Sequence, residues 1–155
     1  MVNETSRKNG NGRRRSIAGM ALAVIGFIVF VMGTSPELFG LDRSPVIGFV
    51  QITVFLIGLA IICIGGSFTL LSLWTGKNRT IAADIGLRLI ATGYVFAVAS
   101  GMADVFGFGS QPWPNIPSFG RWQSRGVLGG EIIIAIGFLL LLPPRSSEAE
   151  NGGNT

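Results

Sequence analysis

The chain is 155 residues long, 48% hydrophobic and only 13% charged, with a formal net charge of +4. Soluble proteins carry about 25% charged residues, and a domain this small buries only roughly 60–70% of its surface, so a soluble core has no room for the apolar runs seen here. Histidine is absent and Cys63 is the single cysteine. That rules out an internal disulfide, the usual zinc, haem and iron–sulfur ligand sets, and any nucleophile–histidine pair. No metal and no cofactor is expected, and Cys63 reads as a small apolar residue inside a span.

Residues 1–16 are polar and basic, with Arg7, Lys8, Arg13, Arg14 and Arg15, and hold too little apolar surface to fold. They are expected to form a disordered tail that engages anionic headgroups of the bilayer; nucleic acid is not an expected partner. A first span is predicted over 17–32, just long enough for a thin hydrocarbon core. In the link that follows, Ser35-Pro36-Glu37 has the cap, first-position proline and acidic first turn of a helix start. Ser44-Pro45 repeats the signal and opens a second span over 45–74. The link 75–80 is so short that the second and third helices must be antiparallel neighbours.

The third span covers 81–102 and carries Asp84 and Arg88 near its start. A long loop, 103–125, leads to the fourth span over 126–142, which Pro143-Pro144 ends because proline cannot continue a helix. Residues 143–155 read as a second disordered tail. The expected fold is therefore all-α, an antiparallel four-helix transmembrane bundle over 17–142 with disordered polar termini. Four spans place both ends on one side. That side holds nine of the twelve Lys and Arg residues, while only Arg43, Arg121 and Arg125 fall on the other. The positive-inside rule then makes both termini cytoplasmic in a multi-pass protein of the cell membrane.

Glycine supplies 23 residues, about double its usual share. Gly19, Gly26 and Gly33 fall seven apart, as do the pairs Gly58 and Gly65, Gly86 and Gly93, and Gly130 and Gly137. A seven-residue step holds a position on the seam of a left-handed helix pair. Small residues there let backbones pack closely, where lipid gives no hydrophobic drive for association.

Polar residues inside the spans are the candidate functional site. Asp84 and Arg88 are four apart and share a helix face; a structural pair near the interface is favoured over an ion path. Glu131 lies about one and a half turns inside the fourth span. Its carboxylate must be protonated, paired or wet, because an ionised group in hydrocarbon costs several kcal/mol. Gln51 enters the second span from the same side to a similar depth, and Arg121 and Arg125 are near enough in sequence to swing over Glu131. The long loop adds a candidate surface of Asp104, Phe106, Phe108, Trp113, Phe119, Arg121, Trp122 and Arg125. Five aromatics and three prolines suit a stiff belt at the headgroup level.

The expected function is non-enzymatic: an accessory or scaffolding membrane subunit that engages lipid, a membrane partner or a second copy of itself. The alternative is a subunit of an oligomeric channel or transporter that uses the intramembrane charges.

Overall fold

The computed structural model describes residues 2–35, 40, 49–75, 78–107 and 120–143, with side chains from residue 12 onward. Four helices follow one another: α1 (Val2–Thr34), α2 (Phe49–Ser72), α3 (Ile81–Gly101) and α4 (Arg121–Leu141). Among the described residues there is no strand. Gly12–Thr34 of α1 and the whole of α2, α3 and α4 are long and apolar enough to cross a membrane. At about 1.5 Å per residue, 21 residues reach the thickness of a hydrocarbon core of about 30 Å. Many large apolar side chains point away from the protein, among them Val50, Val95 and Leu139, as a lipid-facing surface requires. The chain is an all-α, four-helix, multi-pass membrane protein.

The spans fall where the apolar runs predict them, and the ends differ. Helix α1 begins at Val2, so the polar segment 2–16 continues the first helix, where the sequence suggested disorder. Once a helix is nucleated, each further residue adds one hydrogen bond at little cost. Helix α4 starts at Arg121, five residues before the expected 126. There the Gln123 side chain accepts a 2.8 Å hydrogen bond from the Gly120 N–H, and the Ser124 N–H bonds Gly120 O at 3.0 Å. These bonds satisfy groups that would otherwise fray. At the start of α3, Thr80 Oγ1 accepts from the Ala83 N–H at 3.3 Å. The expected start of the second span at Pro45 and the tail from 144 onward lie outside the described residues.

The bundle is two antiparallel hairpins, α1–α2 and α3–α4, each closely packed along its length, with much lighter contact of α2 against α3 and α4. Glycines stand where the backbones come closest. A Cβ added at Gly93 would meet Gly130 O at 2.7 Å, and one at Gly137 would meet Gly86 O at the same distance. In the other hairpin an added Cβ would lie 2.9 Å from Gly65 O at Gly19 and 2.7 Å from Ile62 N at Gly26. No side chain fits at these crossings. Between the hairpins, Phe138 of α4 lies over Gly66 of α2. The Trp74 indole N–H, just past α2, donates a buried 2.9 Å hydrogen bond to Leu141 O. That carbonyl is one of the last four of α4, which have no partner within their own helix. The connectivity gives the bundle a terminal end, with Trp74, Asp84 and Leu141, and a distal end, with Thr34, Gln51, Gly101 and Arg121.

Candidate functional site

Glu131 and Gln51 line one cavity of about 300 Å³ at the distal end. Three helices wall it. The end of α1 gives Gly33 and Thr34, the start of α2 gives Gln51, Ile52 and Phe55, and α4 gives Ser124, Val127, Leu128 and Glu131. Seven residues separate Ser124 from Glu131, so they lie on nearly the same face of α4, two turns apart. Phe55 is held by Phe30, whose ring centre is 5.0 Å away. Ser100, next to the last residue of α3, packs against Gly126. The first turn of α4 therefore rises beyond the end of α3, and Glu131 sits five residues, about 7–8 Å, below the level of Ser100. The carboxylate-bearing residue is half-buried among the helices.

The two arginines expected over Glu131 are elsewhere. Because α4 begins at Arg121, both Arg121 and Arg125 are helical residues and exposed, and neither lines the cavity. The Arg125 guanidinium lies 5.6 Å from the centre of the Trp122 ring, a cation–π distance. Among the described residues, Glu131 has no cationic side chain within ion-pair distance.

Asp84 and Arg88 lie on α3 at the terminal end, and both are exposed. Asp84 faces Arg79 at 3.9 Å, with both side chains more than half exposed, and Arg79–Asp84 is the single ion pair among the described residues. Such a solvated pair contributes little, typically under about 1 kcal/mol. The four candidate polar residues thus fall into two places at opposite ends of the bundle, Glu131 with Gln51 and Asp84 near Arg88. Of the loop residues, Asp104 lies in the turn after α3, with one carboxylate oxygen enclosed and without a hydrogen bond among the described residues. Phe106 is exposed beside it, and Trp122 is 78% exposed on α4. Phe108, Trp113 and Phe119 fall outside the described residues.

Sequence reasoning did not include Thr34, Phe55 and Ser124 in the site. The heptad step from Ser124 to Glu131 was available as a signal once α4 was known to start early. A second cavity, about 390 Å³, lies between α2 and α3 and is lined by apolar side chains together with Cys63, Ser67 and Tyr94. Compared with models of known families, with curated proteins and with solved structures, the chain matches none.

Proposed function

We propose that the chain is a non-enzymatic accessory or scaffolding protein of the cell membrane, with both termini cytoplasmic and the loop after α3 outside. One observation supports this reading: among the described residues of a single chain, the core between the two polar places is apolar. The interior separating Glu131 and Gln51 from Asp84 and Arg88 is filled by Leu56, Leu59, Cys63, Ile90, Ala97 and Ile134. A path for ions needs polar groups or water along its length. The glycine crossings hold each hairpin together by close backbone contact, as small residues do in lipid. The hairpins in turn present a largely apolar surface, with Val50, Val95 and Leu139 among its exposed side chains, to lipid or to a membrane partner. The basic segment 7–15 engages anionic headgroups on the cytoplasmic side, and the same charge bias sets the orientation.

The alternative, a subunit of an oligomeric channel or transporter built around Glu131, makes a different demand. In proteoliposomes loaded with a pH dye or a sodium or potassium indicator, the full chain should give flux no greater than empty vesicles. Flux that rises with protein and is lost in Glu131→Gln would replace the accessory role with transport.

A further inference from the structure

We infer that the cavity around Glu131 is a binding site for a primary ammonium group. This goes beyond an accessory role, because it names a ligand chemistry that holds whether or not a protein partner exists. The charge comes first. Glu131 gives the cavity a single carboxylate, and an anion this close to hydrocarbon is stable only when neutralised or paired. Arg125, the nearest arginine in sequence, is placed over Trp122 instead.

Each of the other polar groups lining the same space carries an oxygen that can accept. An ammonium has three N–H donors and no acceptor. Glu131 offers carboxylate oxygens and Gln51 an amide oxygen. Thr34 points its hydroxyl at carbonyls of its own helix, 3.0 Å from Phe30 O and 3.2 Å from Val31 O. Its proton is used there, which leaves the Thr34 oxygen to accept. Ser124 supplies another hydroxyl on the Glu131 face of α4. A quaternary ammonium has no proton to give these groups, so the set discriminates in favour of a primary amine.

The rest of the lining suits the carbon that such a group carries. Ile52, Phe55, Val127 and Leu128 cover most of the wall, and Leu128 is 55% exposed, so it stands at the rim. A volume of about 300 Å³ equals the liquid share of roughly ten waters, enough for an ethanolamine-sized group and the start of a chain. The lining comes from the last residues of α1, the first of α2 and the first three turns of α4, near one end of the spans. An aminophospholipid headgroup and a free amphiphilic amine present the same ammonium, and the experiment separates them.

The full chain is placed in nanodiscs of equal parts phosphatidylethanolamine and phosphatidylcholine, and the lipid retained is read by native mass spectrometry. Separately, its unfolding in detergent is followed with dodecylamine or dodecyltrimethylammonium added. Retention of phosphatidylethanolamine over phosphatidylcholine by about tenfold, the scale of one hydrogen bond to a charged group, lost in Glu131→Gln and kept in Asp84→Asn, establishes the site with a lipid as its source. Stabilisation by dodecylamine and not by its quaternary analogue, without lipid preference, establishes it with a free amine as the source. If Glu131→Gln does not fold, Leu128→Trp narrows the mouth while leaving the carboxylate, and should weaken either response. Equal retention of the two lipids together with equal responses to the two amines would overturn the site, as would the same selectivity in Glu131→Gln.

Discussion

Replacing Gly93 by Leu should lower the stability of the purified protein by about 1–3 kcal/mol, the usual cost of overpacking, measured by titration with a denaturing detergent. A Cβ at position 93 would sit 2.7 Å from Gly130 O and 2.9 Å from both Ile134 N and a side-chain carbon of Ile134. Two of those atoms belong to backbone, which cannot rotate out of the way. The α3–α4 pair must move apart, and the contacts at Gly86 and Gly137 along the same crossing loosen with it. Leu139→Phe also enlarges the side chain, but at a site 67% exposed, and should change stability little. Equal effects of the two substitutions would mean that the hairpin is not held at its glycines.

The second large effect is expected at Trp74. Its indole ring is buried and its N–H holds Leu141 O from the other hairpin. Trp74→Phe retains most of the ring and removes the donor, so the carbonyl loses its partner in a buried place. A loss of about 1–2 kcal/mol is expected in the same titration, with little change for Trp122→Phe at the exposed start of α4. Contact between the hairpins is otherwise light, so the loss at Trp74 should appear as earlier separation of α2 from α4. An unchanged transition would leave Phe138 against Gly66 as the main join.

The four spans were legible because apolar runs of this length have no other physical solution in a small chain. Their ends were less so. The apolar pattern stops at Gly126, but Gln123 reaches back to the Gly120 N–H and starts α4 a turn and a half earlier, which carries Arg121 and Arg125 onto the helix and away from Glu131. A similar extension joins the polar segment after Val2 to α1. The meeting of Gln51 with Glu131 followed from antiparallel order, since both enter from one end at comparable depth. The pairing into hairpins did not follow, because every helix carries glycines seven apart and the spacing names no partner. Trp74 gave no signal of its own; its role depends on Leu141 arriving beside it from 67 residues away.

Impermeant thiol labelling in intact cells tests the membrane architecture most directly. With Cys63 replaced by Ala, Ser118→Cys lies in the loop between α3 and α4, and Ser147→Cys lies beyond α4. If α4 crosses the bilayer and the basic residues mark the cytoplasmic side, Ser118→Cys is labelled from outside, and Ser147→Cys is labelled only after the cells are opened. Labelling of Ser147→Cys alone in intact cells would reverse the orientation, and labelling of both would contradict a fourth crossing altogether.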